Sequence, residues 1–285
     1  MTAAEAFRHT GRARPVTRNA LQRMVPTTTC RIVRCVLLTA LLMIYSAIHP
    51  DAARQQEIRD IRELIPPLQD LEATIRVTRM EARELEKIGG DFTTNYSVLR
   101  NLRTLSLLYK SPDKLLLEGR SSVLGEAALV IVGPVRFYAV SKLNLRRREN
   151  LEKEPARRQS LLEYSGLLSE DTLRYMRVKA ARQDALDGAP VLVYDLVYRA
   201  SSSSSYYRLW IDPHTRIVRQ RDWYDTEHRL RATFRYEEPR EVSEGIYVPG
   251  RCDIINPDGV IAGSMTYTDL KVNQGIPDAL FDVSR

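Results

Sequence analysis

Side chains that could perform acid–base or metal chemistry are few in this sequence and widely spaced. The histidines are His9, His49, His214 and His228. Only the last two fall in the region whose residue pattern predicts a folded domain, and each lies near a predicted turn. To hold a metal they would need a third ligand such as Asp212 or Asp225, but carboxylates at turns usually accept hydrogen bonds from the backbone. The sequence therefore predicts no metal site.

Sequence motifs of catalysis are also missing. The chain has no Gly-x-Ser-x-Gly elbow, no His-Glu-x-x-His helix, no Gly-rich phosphate loop and no cysteine pairs with zinc spacing. We therefore expect a protein that is not an enzyme, with no catalytic residues and no cofactor. A hydrolase of envelope polymers is the catalytic alternative, and it would require activity that depends on His214 or His228.

The N-terminal 53 residues differ in composition from the rest. Residues 1–29 are rich in Arg, Thr and Ala without hydrophobic periodicity, which predicts disorder. Residues 35–48 carry no charge and follow Arg31 and Arg34. This run is shorter than the roughly 20 residues of a membrane-spanning helix, and its basic flank favours a secretory leader. An uncleaved signal anchor is the alternative, because no Ala-x-Ala cleavage site follows.

These features predict two regions and a location. Residues 1–53 would be a disordered N-terminus plus signal peptide or signal anchor, and residues 54–285 would be one folded domain. Export would place that domain in the periplasm or cell envelope, or facing outward from a membrane anchor. The net charge of +7 is concentrated in residues 1–53, which contain seven Arg and only two acids, so the domain itself is nearly balanced. We therefore expect no nucleic-acid partner.

Alternating apolar and polar residues predict strands along most of the domain. In the last third the predicted strands are 191–198, 206–211, 216–224, 230–236, 247–255 and 260–272. Earlier strands are predicted at 73–80, 96–109, 114–120, 127–132 and 135–145. A helix is predicted at 54–65, ended by Pro66 and Pro67. Turn signals at 212–215 and 256–259 join neighbours as hairpins, so the last third should be a curved antiparallel meander.

Several stretches, taken in order, resemble a known family. They are residues 208–215, the strand 230–236, the Pro-terminated 245–249 and the closing stretch 273–281, which ends in Phe281. This order is similar to the C-terminal half of the outer-membrane lipoprotein-sorting proteins, the LolA/LolB-like superfamily. The resemblance implies an α+β fold, an incomplete antiparallel β-barrel with a helical lid. It also implies an apolar cavity that holds acyl chains outside the cytoplasm.

Residues 150–177 interrupt the strand pattern and predict short helices. Pro155 suits a first helical turn, and Ser169 followed by two acids suits a second helix start. The resemblance places the lid here. The lid candidates are Leu161, Leu162, Leu167 and Leu168. The neighbouring basic residues 146–148 are interspersed with acids nearby and are interpreted as a solvated face.

The candidate ligand-binding surface is apolar. Strand 191–198 has apolar residues on both faces, so both faces require cover. The candidates for lining the cavity are Leu192, Tyr194, Leu196, Tyr198, Trp210, Trp223, Phe234 and Tyr236. Alternation separates the two faces of a strand, but it leaves open which face lines the cavity.

The expected function is that of a non-enzymatic, extracytoplasmic carrier or binding protein for lipoproteins or other acylated ligands. A membrane-bound donor or acceptor would be its partner. The alternative is a membrane-anchored sensor or regulatory domain of the same fold that binds a protein partner. The state of the N-terminal segment discriminates between them, because a cleaved leader favours the carrier and a retained anchor favours the sensor.

We predict that residues 54–285 fold without a metal ion and without a disulfide. Cys252 is the one cysteine of this region, and a free thiol on a strand usually behaves as a small buried hydrophobe. Thermal unfolding of this fragment, followed by circular dichroism, should therefore keep the same midpoint when EDTA or dithiothreitol is added. A marked shift with either reagent would contradict the prediction.

Overall fold

The computed structural model describes residues 58–89, 101–199 and 205–282. The strands are β1 (Asp70–Met80), β2 (Thr104–Lys110), β3 (Lys114–Ser121), β4 (Gly125–Val132), β5 (Val135–Val140), β6 (Leu145–Asn150), β7 (Met176–Leu186), β8 (Ala189–Tyr198), β9 (Tyr206–Ile211), β10 (Val218–Tyr224), β11 (Leu230–Ser243), β12 (Ile246–Ile255) and β13 (Ile261–Val272). The α-helices are α1 (Ala82–Glu86), α2 (Leu161–Ser165) and α3 (Glu170–Tyr175). Short 3₁₀ helices span Ile61–Leu64, Ser141–Leu143, Pro155–Arg157 and Asp278–Phe281.

All of these strands form one curved antiparallel sheet. Its order is β6-β5-β4-β3-β2-β1-β13-β12-β11-β10-β9-β8-β7. Two meanders, β1–β6 and β7–β13, are joined where β1 pairs with β13. The strands β6 and β7 are neighbours along the chain but lie at opposite edges of the sheet, so the sheet does not close. This is the predicted incomplete antiparallel barrel with a helical lid.

Register determines which side chains share a face of the sheet. In the β8–β9 pair, Leu192 lies opposite Ile211 and Tyr194 lies opposite Leu209. Directly opposed residues of an antiparallel pair point to the same side. These four side chains belong to the main hydrophobic core, which lies on the concave face and extends to β1 and β2. The large core therefore lies within the curve of the sheet.

The C-terminal tail covers part of the opposite face. Ile276 and Phe281 pack on Leu116, Val130 and Phe137, which form a second, smaller cluster. The stretch ending in Phe281 is thus a 3₁₀ helix against the outside of the sheet. The buried carboxylate of Asp70 accepts hydrogen bonds from three backbone N–H groups of the stretch that leads to this helix, those of Gln274 at 2.8 Å, Gly275 at 2.8 Å and Ile276 at 3.3 Å.

The two edge strands differ from the sequence expectation. The predicted strand 135–145 is two strands, β5 and β6, separated by a 3₁₀ turn that ends at Asn144 in the left-handed region. β7 occupies residues that were predicted as helix or left unassigned, while helix is confined to α2 and α3. Both edge strands expose most of their side chains, so they carry no apolar alternation. Charged edge strands of this kind resist pairing with other chains.

The remaining predicted strands are present with changes at their ends, the largest in the strand predicted at 230–236, which continues to Ser243 as β11. The first part of strand 96–109 lies outside the described residues, and the structure places β2 at Thr104–Lys110. The helix predicted at 54–65 is described only from residue 58 onward, where it is a 3₁₀ turn at Ile61–Leu64. The N-terminal region 1–53, with its leader or anchor, lies outside the described residues. Among the helices that the structure describes, none is long and apolar enough to span a membrane.

Candidate functional site

The concave face brings together seven of the eight residues predicted to line a cavity. Tyr194 and Tyr198 of β8 extend into the main core, as do Phe234 and Tyr236 of β11. The others on this face are Leu192, Leu196 and Trp223. Trp210 does not line this face. It pairs with Val193 in the register of β8 and β9, and Val193 alternates with the concave residues, so Trp210 faces the other side of the sheet.

Both faces of β8 are covered, as its sequence predicted. Val191, Val193 and Val197 are buried on the side opposite the concave core. The concave side carries residues that the sequence reading did not select, including Leu209 and Ile211 of β9. Their position next to Trp210 could have revealed them, because alternation puts Trp210 and its two neighbours on opposite faces.

The segment between β6 and β7 fills the concavity. It carries α2 and α3, and its leucines Leu161, Leu162, Leu167 and Leu168 are at most 2% exposed. These four lid candidates belong to the same core cluster as the predicted cavity residues. The lid and the wall are therefore in contact in this structure, and the surface expected to line a cavity is occupied by the protein's own leucines.

Hydrogen bonds hold the lid to three wall strands. The Tyr236 hydroxyl donates to the carbonyl oxygen of Leu162 at 3.0 Å, and the Tyr267 hydroxyl donates to the carbonyl oxygen of Tyr164. The backbone N–H of Val218 donates to the carbonyl oxygen of Gly166 at 3.0 Å. These bonds involve backbone carbonyls of the lid, so they fix its position without requiring particular lid side chains.

Local sequence explains why α2 is one short helix. Ser160 caps its start through a capping box, in which the Ser160 N–H donates to the Glu163 carboxylate at 2.7 Å. Gly166 ends it in the left-handed region, with φ of 66°. A Cβ at Gly166 would lie 2.6 Å from the ring of Tyr236. Glycine is therefore required here both by backbone conformation and by the close approach of the wall.

A buried ion pair closes the base of the loop that carries α2. Arg158, just before α2, pairs with Asp171 in α3, and both side chains are less than 5% exposed. Arg158 Nε also donates to the Gly133 carbonyl oxygen at 2.6 Å, which ties the loop to the β4–β5 turn. Burial raises the pKa of Asp171 to about 6, while the charge of Arg158 opposes that rise. Removing one partner of such a pair typically costs about 3–5 kcal/mol. A buried charge pair therefore holds the base of the loop, whereas α2 is held by buried leucines and by hydrogen bonds to backbone carbonyls.

An opening of about 250 Å³ lies at the end of the lid. It is bounded by Ile65, Pro66, Pro67, Leu68, Gln69, Tyr109, Ser111, Leu161, Leu168, Ser169 and Glu170. Two lid candidates line it, whereas none of the eight predicted wall residues does. Its volume is just below the range of about 300–1,000 Å³ found for small-molecule sites. The opening leads between the lid and the wall without reaching the β8 surface.

The interior also contains a charged residue that the sequence reading missed. Arg221 of β10 is 3% exposed, and its guanidinium carbon lies 3.8 Å from the ring centre of Phe234 and 5.0 Å from that of Tyr207. Within Arg219-Gln-Arg-Asp222 it looks like one of several solvated polar residues. The available signal was its spacing of two from Trp223, which places both residues on one face of the strand.

Tyrosine hydroxyls surround this guanidinium. The Tyr198 hydroxyl donates to the Tyr207 hydroxyl at 3.3 Å. Burial raises the pKa of Tyr198 and of Tyr207, and the charge of Arg221 partly opposes both rises. Burial also raises the pKa of the Cys252 thiol to about 12, so this cysteine stays protonated and unreactive at neutral pH.

The two domain histidines lie apart from this interior. His214 and His228 are exposed, and their rings contact Tyr247 and Tyr206, respectively. Asp212 accepts hydrogen bonds from the backbone N–H groups of His214 and Thr215, which confirms the turn role predicted for that carboxylate. Asp225 serves the next turn in the same way. The described ranges contain no cluster of three or more His, Cys, Asp or Glu side chains that could hold a metal ion.

Solved structures share this architecture at low sequence identity. A LolA superfamily protein from Nitrosomonas europaea is 15% identical, with a TM-score of 0.52 over 77% of this chain and 93% of that one. The chain has a LolA-like fold. A DUF1329 family protein from Desulfovibrio piger is 15% identical, with a TM-score of 0.51 over 79% of this chain and 93% of its own. The superfamily resemblance predicted from the sequence is therefore confirmed for the fold.

Another solved structure has a similar fold, and one family model matches part of the sequence. A Vibrio parahaemolyticus domain, described as an outer membrane lipoprotein-sorting protein domain, is 12% identical, with a TM-score of 0.50 over 79% of this chain and 95% of its own. A family model described as an uncharacterized protein matches residues 157–285, which include the lid and β7–β13. No curated protein matches the sequence.

We predict that Gly166→Ala loosens the lid and destabilises the protein. The left-handed backbone and the clash with Tyr236 together should cost about 2–5 kcal/mol of unfolding free energy. Gly188→Ala is the matched control, because Gly188 has a φ of 78° but no atom near the added Cβ, and it should cost only about 1–2 kcal/mol. Urea unfolding of both variants measures the difference. Equal losses would show that the lid does not press on Tyr236 at this point.

Proposed function

We propose that this LolA-like protein is a non-enzymatic carrier or binding protein for lipoproteins or other acylated ligands. The observation that carries the proposal is the apolar concave face, which is covered by the four lid leucines and hydrogen-bonded to the lid through backbone carbonyls. An acyl chain offers the same kind of surface as those leucines. It could therefore take over their apolar contacts with the wall, whereas the wall donors that now bond to lid carbonyls would need other acceptors.

The free energy gained by burying an acyl chain on the concave face is similar to that gained by burying the four lid leucines. Burying a chain of about twelve methylenes is worth roughly 10 kcal/mol, and burying four leucines is worth about 6–12 kcal/mol. An exchange between lid and ligand is therefore close to balanced, which is what a carrier needs in order both to load and to release. The opening beside Leu161 and Leu168 is too small for a whole chain, so loading requires α2 to move away from the wall.

The proposed setting follows from the predicted leader and from the fold. A carrier of acylated cargo would act in the periplasm or cell envelope, between a membrane-bound donor and a membrane-bound acceptor. The Vibrio parahaemolyticus domain of similar fold is described as a lipoprotein-sorting domain, which supports this setting. A membrane-anchored sensor that binds a protein partner would instead leave the concave face permanently covered by the lid.

We predict that an acylated ligand changes hydrogen exchange in the α2 loop. Backbone amides of residues 159–170 should exchange at a different rate when a dodecanoylated peptide is bound, because displaced or repacked leucines alter the opening of α2. Amides of the 3₁₀ helix Asp278–Phe281 are the internal control, since this helix packs on the other face of the sheet and should not respond. An unchanged rate in the loop at saturating ligand would count against a displaceable lid.

We predict that a fluorescent fatty-acyl probe binds the protein and that charge on the concave wall weakens binding. Leu196→Glu and Tyr198→Glu should each weaken it more than tenfold, because a carboxylate would be buried against the acyl chain. His214→Ala and His228→Ala should leave it unchanged. Trp210→Glu is the matched control for the wall, because it places the same charge on the opposite face of the same sheet.

Circular dichroism of each variant separates a loss of binding from a loss of fold. Should the folded wild-type protein take up no probe below the micelle concentration, the carrier proposal would fail and the partner-binding sensor would replace it. Equal weakening by Trp210→Glu and Leu196→Glu would show that the concave face is not where the chain lies.

A further inference from the structure

Four side chains from consecutive strands form one polar cluster inside the apolar concavity. They are Tyr198 of β8, Tyr207 of β9, Arg221 of β10 and Tyr236 of β11, and we call them the wall cluster. Register places them on the concave face. Leu196 opposes Tyr207, Tyr207 opposes Trp223, and Arg221 opposes Phe234. Leu196 and Phe234 belong to the main core, and Tyr207 and Trp223 pack against it. The cluster is therefore part of the surface that the lid covers.

The chemistry of the wall cluster favours an anionic oxygen group. A guanidinium is always charged and has five N–H donors but no acceptor, and each phenol can donate one O–H. The rings of Phe234 and Tyr207 lie within cation–π distance of the guanidinium and help to keep the charge in an apolar site. Carboxylates and phosphates are the groups that arginine binds most strongly, often through two parallel hydrogen bonds.

The acidic residues nearby are arranged so that the wall itself is cationic on this face. Asp222 follows Arg221 and therefore points to the other side, where it accepts a hydrogen bond from Thr233. Asp253 follows the buried Cys252 and also faces away, paired with Arg251. The carboxylate whose charge reaches the tyrosines of the cluster is that of Glu163, which lies on α2. When α2 moves, this negative charge moves with it.

We propose that Arg221, with the hydroxyls of Tyr198, Tyr207 and Tyr236, binds the carboxylate or phosphate headgroup of a single-chain amphiphile whose hydrocarbon chain takes the place of α2. The inference rests on the proposed carrier function and goes further by stating that the ligand carries an anionic headgroup. In the closed protein the Glu163 carboxylate accepts hydrogen bonds from Ser160 on the lid, and its charge reaches the tyrosines of the cluster. An incoming headgroup would replace that charge as the leucines give way to the chain.

Binding of matched ligands to the full-length protein tests the inference. Dodecanoate, dodecyl phosphate and dodecanol have the same chain and differ in the headgroup, and each can be titrated below its micelle concentration by calorimetry at pH 8. The wild-type protein should bind both anions at least tenfold more tightly than the alcohol. Acetate and inorganic phosphate should bind at least a hundredfold more weakly than their dodecyl counterparts, which separates a lipid headgroup from a free anion.

Variants test whether Arg221 causes the preference for anionic headgroups over the alcohol. Arg221→Met should bind the alcohol as the wild type does and should lose the tenfold preference for the anions. Arg221→Lys keeps a charge and should retain part of that preference. Arg235→Met is the matched control, because Arg235 is on the neighbouring strand but faces outward, opposite Asp253 in register, and it should keep the full preference.

The outcomes separate this inference from the function on which it rests. Equal affinity of the wild type for dodecanoate and dodecanol, or an undiminished preference in Arg221→Met, would overturn the headgroup site while leaving acyl binding intact. Failure to bind any dodecyl ligand would overturn both. If Arg221→Met does not fold by circular dichroism, the double variant Tyr198→Phe with Tyr207→Phe keeps the ring volume, and it should reduce the preference at least threefold.

Discussion

Thirteen antiparallel strands that stop short of closing leave an apolar concave face with no second sheet to cover it, and the described part of the protein is built around satisfying that face. Leaving it exposed would cost roughly 25 cal/mol for each square ångström of apolar surface. The chain covers it with its own connection between the two meanders. Because β6 and β7 lie at opposite edges of the sheet, the segment that joins them must cross the concavity, and its leucines become the filling.

The junction of β1 with β13 makes this arrangement possible. Each meander alone would be a small sheet with one apolar face, whereas their pairing gives a single curved surface long enough to enclose the lid. The edges that remain are β6 and β7, which present mainly exposed side chains, several of them charged. These edges are poor templates for pairing with another chain, so the sheet can stay open without aggregating. An open sheet also allows the lid to be replaced.

Two kinds of contact attach the lid to the rest of the protein. The pair Arg158–Asp171 fixes the base of the loop through a buried charge–charge contact, while α2 is held by leucines and by hydrogen bonds to its backbone carbonyls. Apolar contacts of this kind are non-directional, so another apolar surface can take them over at little cost. The wall cluster around Arg221 is the exception in this interior, because its donors require an acceptor in whichever state the concavity adopts.

Local sequence patterns determined much of the fold. The alternation in residues 191–272 specified the antiparallel meander, and the turn carboxylate of Asp212 behaves as its spacing indicated. The break in alternation after residue 150 located the short helices, and the family resemblance placed the lid there. These features depend on residues a few positions apart, so the two-residue period of a strand and the residue types of a turn can be recognised in the sequence. Alternation also placed Leu192, Tyr194, Leu196 and Tyr198 together on one face of β8.

Tertiary structure decided what depends on contacts between distant residues. Alternation defines two faces but not which of them is concave, and so Trp210 was assigned to the wall although Leu209 and Ile211 hold that side. Edge strands have no buried face to impose a pattern, so β6 and β7 were not recognised. In the sequence Arg221 looks like a solvent-exposed polar residue, because the Tyr207 and Phe234 rings beside its guanidinium belong to other strands. Its burial, and with it the charge of the concave wall, exists only once those strands are paired.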